Sequence, residues 1–217
     1  MPCFAKPSKV FLALECACLF VALPVLIFLH TTRWNVPLAL WGVTAYAVVI
    51  LNKTTDFSWR RAWAGSSLKP YDFWVITSRF VISSIGVVFL AEWIEPDFLF
   101  NLPHQKPLFW LLIMALYPLL SALPQEIVFR TFFMRRYAPL FSRNGEMLAA
   151  AGFAFGFIHI VFHNPISPLL SFICGFFLSS SYAVHQSLKR ATIEHGFYGD
   201  MVFTVGLGYY FIVGHYS

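Results

Sequence analysis

Residues 121–130 read Ser-Ala-Leu-Pro-Gln-Glu-Ile-Val-Phe-Arg, so Glu126 and Arg130 stand four apart in an otherwise apolar stretch. On a helix, positions i and i+4 share a face, and Arg130 can hold the Glu126 carboxylate. An ionised group in lipid costs at least about 2.5–3.5 kcal/mol even on lenient insertion scales. A buried ion pair adds little stability by itself. Two readings therefore stand side by side: a pair that fixes a helix contact, and a carboxylate kept for chemistry. Two histidines recur in later apolar stretches. His159 closes Phe155-Gly156-Phe157-Ile158-His159, and His195 lies in Ile193-Glu194-His195-Gly196-Phe197-Tyr198-Gly199-Asp200. Alone, each reads as a hydrogen-bonded interior or helix-start histidine. With Glu126 they supply the ingredients of an acid/base site in a water-accessible pocket. His163 and His185 fall at segment ends and read as interfacial.

These residues need membrane helices to position them. The chain has 217 residues, 59% hydrophobic and 12% charged. Soluble domains carry about 25% charged residues, so the composition predicts an all-α polytopic membrane bundle, a single integral domain over residues 1–217. A crossing needs about 20 mostly apolar residues. Seven stretches qualify: Val10–Leu29, Trp34–Leu51, Tyr71–Trp93, Leu108–Phe129, Met147–Phe162, Pro168–His185 and Ala191–Val213. The first follows Lys6 and Lys9 as a signal peptide would, but its length, Pro24 and lack of a small-residue cleavage site predict that it is retained. Threading seven crossings puts Lys6, Lys9, Lys53, Arg60, Arg61, Lys69, Arg135, Arg136, Arg143, Lys189 and Arg190 on one side, against Arg33 and Lys106 on the other. The positive-inside rule then predicts a cell-membrane protein with a cytoplasmic N-terminus and an extracytoplasmic C-terminus.

The net charge of +5 comes from these short loops and carries no nucleic-acid signature. The loop Asn52–Pro70 carries Trp59 and Trp63, which suits the headgroup surface. Cys3, Cys16, Cys18 and Cys174 form no CxxC and no disulfide framework. Arg79 is left inside a crossing, to pair with a carboxylate or to line a cavity. Gly152 and Gly156, four apart, allow a close helix contact at His159.

Taken in order, these motifs resemble the CPBP family, the CAAX-protease and bacteriocin-processing (Abi) membrane proteins, which includes the type II CAAX prenyl endopeptidases. Gln125-Glu126-xxx-Arg130 stands for the family's Glu-Glu-xxx-Arg, Phe155-xxx-His159 for Phe-xxx-His, and His195-xxx-Gly199 for His-xxx-Asn. The resemblance covers a core of about residues 108–211. Two positions depart from the pattern: Gln125 replaces the first glutamate and Gly199 the asparagine.

The resemblance implies a glutamic-type intramembrane endopeptidase acting on a membrane-embedded or membrane-anchored peptide or protein in the lipid bilayer. Glu126 and His159 would activate one water, and His195 would stabilise the oxyanion, with Arg130 and Gln125 in support. No cofactor is implied. The nearest variant is zinc, since His159 and His163 are four apart, the spacing of helical ligands. Against it, no HExxH is present, and Asn164-Pro165 predicts that the helix ends at His163. A second class of reading is a non-catalytic protein of the same fold, a scaffold or immunity factor. A transporter would instead spread its ionisable groups along a path. One tension remains in depth. His159 stands about twelve residues into its helix, roughly 18 Å at about 1.5 Å per residue. Glu126 and His195 lie nearer the cytoplasmic ends of theirs. Either the fifth helix begins near Ser142 or the helices tilt.

Overall fold

The protein is described from a computed structural model covering residues 7–67 and 69–213; Cys3 and Lys6 lie outside the described residues. Among the described residues all regular structure is helical, in nine helices with short 3-10 turns between them. In chain order these are α1 Lys9–Leu29, α2 Asn35–Asn52, the short α3 Trp59–Ala64, α4 Pro70–Ile94, the short α5 Asn101–Gln105, α6 Pro107–Arg136, α7 Asn144–Phe162, α8 Ile166–His185 and α9 Leu188–Val205. The architecture is an all-α membrane helix bundle.

Six of these helices are long and apolar enough to cross a bilayer: α1, α2, α4, α6, α7 and α8. The seventh predicted stretch falls short for a chemical reason. Helix α9 has the 18 residues of α2, but it carries Lys189, Arg190, Glu194 and Asp200. It also ends at Val205, eight residues before the predicted Val213. Gly206 takes a left-handed φ of 101°, and a 3-10 turn over Leu207–Phe211 follows. That glycine is obligatory in shape as well, because a Cβ on it would lie 2.1 Å from the Phe98 carbonyl oxygen.

Loop contacts sort the connections into two ends. At one, Arg135 pairs with Asp56 at 2.6 Å, and the Ser66 amide donates to the His185 carbonyl. At the other, His163 meets Thr31, Asn164 donates to the Tyr210 carbonyl, and Tyr210 donates to Glu95. Helix α9 runs between these ends, from Ser187 beside Trp63 to Gly206 beside Phe98.

The helix α6 runs seven residues past the predicted Phe129. Its continuation buries Phe132, Phe133 and Met134, and its last turn carries Arg135 and Arg136, cations that a helix C-terminus favours. Arg136 pairs with Glu15 of α1 at 2.9 Å, and Tyr46 of α2 hydrogen-bonds the same carboxylate. Widened π turns interrupt α1 at Cys18–Ala22 and α6 at Pro118–Ala122 and Ile127–Phe133. The first two stand just before Pro24 and Pro124. A proline lacks the N–H and crowds the carbonyl four residues back, and a π turn takes up the misfit.

Helices α7 and α8 form a close hairpin. A Cβ on Gly156 would lie 2.8 Å from Phe172 Cβ, and one on Gly175 2.9 Å from Phe155 Cβ. Arg79 makes no carboxylate hydrogen bond among the described residues, though it acts electrostatically on Glu194. It donates to the Phe177 carbonyl at 3.3 Å, tying α4 to α8. Edge-to-face rings pack the centre: Phe20 on Phe129, Phe133 and Tyr137, and Phe129 on Phe155. This aromatic layer lies directly against the candidate site, through Phe155.

Candidate active site

Three helices deliver the site: α6 brings Glu126 and Arg130, α7 brings His159, and α9 brings His195. Glu126 and Arg130 are both 0% exposed. Arg130 Nε lies 3.2 Å from Glu126 Oε2, and its guanidinium carbon is 5.0 Å from the centre of the Phe155 ring. The other carboxylate oxygen, Oε1, lies 2.8 Å from His195 Nδ1. An ionised carboxylate only accepts, so Nδ1 carries the hydrogen. His195 Nε2 is then 3.0 Å from the Tyr117 hydroxyl, also on α6. The result is a line of contacts, Arg130–Glu126–His195–Tyr117, running between α6 and α9.

His159 is fixed differently. Its Nδ1 donates to the Phe155 carbonyl one turn back, at 2.7 Å. In the neutral ring this leaves Nε2 as the acceptor. Ser167 of α8 donates to the His159 carbonyl at 3.2 Å, and the rings of Phe155, Phe162 and Phe211 surround the imidazole. His159 and His195 line one small cavity of about 60 Å³, with Tyr117, Cys174 and Gly199. That volume admits a water or two. His159 also borders a larger apolar cavity of about 440 Å³ between α1, α2 and α6, which reaches Gln125. Gln125 is buried there, and its Nε2 donates to Ser121 at 2.8 Å.

Glu126, Arg130 and His195 are thus in direct contact. His159 shares the small cavity with His195, but neither Glu126 nor Arg130 lines it, and His159 makes no hydrogen bond to Glu126 among the described residues. The tension in depth is relieved from both sides: α7 begins at Asn144, and the longer α6 places Glu126 ten residues from its end at Arg136. His163 stands apart from His159. The helix stops at Phe162, His163 takes a left-handed φ of 56°, and its ring stacks on Phe28 at 4.3 Å. The zinc spacing therefore has no helix to carry it.

Tyr117 is the functional neighbour that sequence reasoning missed. It lies nine residues before Glu126 and meets the site from across α9, at His195 and along the small cavity. The one available signal was Gly199. A Cβ at that position would lie 2.0 Å from Tyr117 Cε1 and 2.5 Å from its hydroxyl oxygen, so the tyrosine fills the space that the missing side chain leaves. Glu194 is a second buried carboxylate beside the site, 3.4 Å from the Tyr198 hydroxyl.

A family model described as Type II CAAX prenyl endopeptidase Rce1-like matches residues 107–199. The match starts with α6 and ends at Gly199, and so takes in Glu126, Arg130, His159 and His195. It agrees with the CPBP and CAAX-protease resemblance of the three motifs, and with the apolar helices it supports a multi-pass CAAX-type membrane protease at family level. No curated protein and no solved structure matches the chain.

Proposed function

We propose that this chain is an intramembrane endopeptidase of the CAAX type, in which His159 activates a water and the Glu126–His195 pair stabilises the charge that develops. One observation carries the reading: two imidazoles line one small cavity, and one of them is backed by a fully buried, ion-paired carboxylate. Glu126 Oε1 is taken up by His195 and Oε2 faces Arg130 as an ion pair, so in this reading the base is His159, whose Nε2 is not used by its anchoring bond to Phe155. The water oxygen attacks the peptide carbonyl carbon, its proton passes to His159 Nε2, and the carbonyl electrons move onto oxygen. When the intermediate collapses, the C–N bond breaks. The proton on His159 goes to the leaving nitrogen, giving an acid and an amine. Glu126 and Arg130 hold the opposite wall fixed, a preorganised field for the oxyanion.

The substrate in this reading is a membrane-embedded or membrane-anchored peptide or protein. Its apolar part would occupy the 440 Å³ cavity between α1 and α2 that ends at Gln125 and His159. The N-terminus would face the cytoplasm, with α9 as a seventh crossing. The chemistry as written uses water and side chains alone. The test is cleavage in liposomes of quenched-fluorescent peptides ending in a farnesylated CAAX segment, beside unprenylated counterparts. Wild type is expected to cleave, with or without a chelator. Loss of activity on chelation, restored by zinc, would contradict the mechanism.

A second reading, a non-catalytic scaffold or immunity factor, is favoured by Gln125. It faces the large cavity as a neutral amide, and its Oε1 is buried with no hydrogen-bond partner among the described residues. In that case the wild type cleaves nothing, and a Glu126 variant complements a null strain.

A further inference from the structure

Both ring nitrogens of His195 are already bonded, Nδ1 to Glu126 at 2.8 Å and Nε2 to the Tyr117 hydroxyl at 3.0 Å. The imidazole therefore has no free position from which to touch a substrate. Tyr117 does: with His159, His195 and Gly199 it lines the 60 Å³ cavity in which the water would react.

The seat of Tyr117 is built by two glycines of α9 at a spacing of three. Gly196 lets the Pro118 ring of α6 in, since a Cβ there would lie 3.2 Å from Pro118 Cβ and Cγ. Gly199 lets the phenol ring in, since a Cβ there would lie 2.0, 2.3 and 2.5 Å from its Cε1, Cζ and hydroxyl oxygen. No side chain larger than hydrogen at position 199 is compatible with this ring. Phe203 and His195 then grip the ring edge-to-face, at 5.6 and 5.9 Å between centroids.

We propose that the Tyr117 hydroxyl, seated where Gly199 leaves room, is the hydrogen-bond donor to the substrate's carbonyl oxygen, with His195 acting through it. With Nδ1–H on Glu126, His195 Nε2 accepts the phenolic hydrogen of Tyr117 in the free protein. On substrate binding that phenolic hydrogen turns from Nε2 to the carbonyl oxygen, exchanging one acceptor for another with no further proton needed. No bond to carbon forms or breaks at Tyr117, and the step is a hydrogen bond that strengthens as charge builds on the oxygen. This assignment rests on the peptidase reading above.

The experiment is Tyr117→Phe in the full chain, assayed in liposomes on the quenched-fluorescent farnesylated CAAX peptide. The substitution keeps the ring packed against Gly199 and Phe203 and removes only the hydroxyl. The expected result is a kcat lower by about 100-fold, the usual effect of losing one such donor, with KM within about twofold and an unchanged melting temperature. Nitrogen NMR of the histidines supplies a readout that activity does not: the His195 Nε2 resonance should move and Nδ1 should not. A Tyr117→Phe protein with wild-type kcat, or with an unmoved Nε2 resonance, overturns the assignment and leaves the peptidase reading standing. A wild-type protein that cleaves none of the peptides overturns both, and this control separates the two failures.

Discussion

Glu126 and Arg130 show how far one residue pair can be read. Both are fully buried at 3.2 Å, and removing one partner strands the other's charge, at a cost of about 3–5 kcal/mol. Glu126→Ala is therefore expected to lose stability as well as activity. Glu126→Ala combined with Arg130→Met, which removes both charges, is expected to recover the melting temperature without recovering cleavage. Thermal unfolding in detergent beside the peptide assay checks this. Recovery of cleavage in the double variant would reduce the pair to a structural contact. The pair itself was legible, because spacing of four and the cost of a charge in lipid are sequence properties. Its third partner was legible only as a type. On the family resemblance Glu126 pairs with His159 at the water and His195 takes the oxyanion, whereas the structure gives the carboxylate to His195. A hydrogen bond between helices depends on helix rotation, which motif order does not encode. Tyr117 was hidden for the same reason.

At the scale of elements, the hairpin α7–α8 sets the position of His159. A Cβ at Gly156 would lie 2.8 Å from Phe172 Cβ and 2.9 Å from its Cα, whereas nothing lies within 4 Å of Gly145 on the same helix. Gly156→Ala should force the two helices apart and cost about 1–3 kcal/mol, as overpacking does, and it should lower cleavage by displacing His159. Gly145→Ala should leave both unchanged. Equal melting temperatures for the two variants would contradict the packing account. The glycine spacing in α7 was visible in the sequence, and so were five of the six apolar crossings to within a few residues. The exception was α6, whose predicted apolar stretch ended at Phe129, short of Arg130 and the Arg135-Arg136 pair. Arg130 is instead swallowed by the bundle, and the other two are held by Asp56 and Glu15. Helix α9 was drawn too long instead. Its site residues dilute its apolar character, and Gly206 stops it at Val205.

For the whole molecule, the proposed orientation predicts opposite answers from reporter fusions placed after Ser142 and after Ser217. The first should report the cytoplasm, because the Lys/Arg-rich loops gather at that end. Equal answers would remove α9 from the set of crossings. The class of membrane protein followed from composition alone. What the molecule does with its cavities did not, because an apolar space of about 440 Å³ between α1, α2 and α6 is a product of packing. It meets the small site cavity at His159 and Phe211, which line both. The central claim is that His159 activates water for peptide cleavage. Its most direct test is the single-turnover cleavage rate of wild type, Gln125→Ala and His159→Ala in liposomes, with products identified by mass spectrometry. The account predicts cleavage at one peptide bond by wild type, a milder loss in Gln125→Ala, and a loss of at least about 100-fold in His159→Ala with the melting temperature unchanged. Cleavage by His159→Ala at the wild-type rate would contradict it.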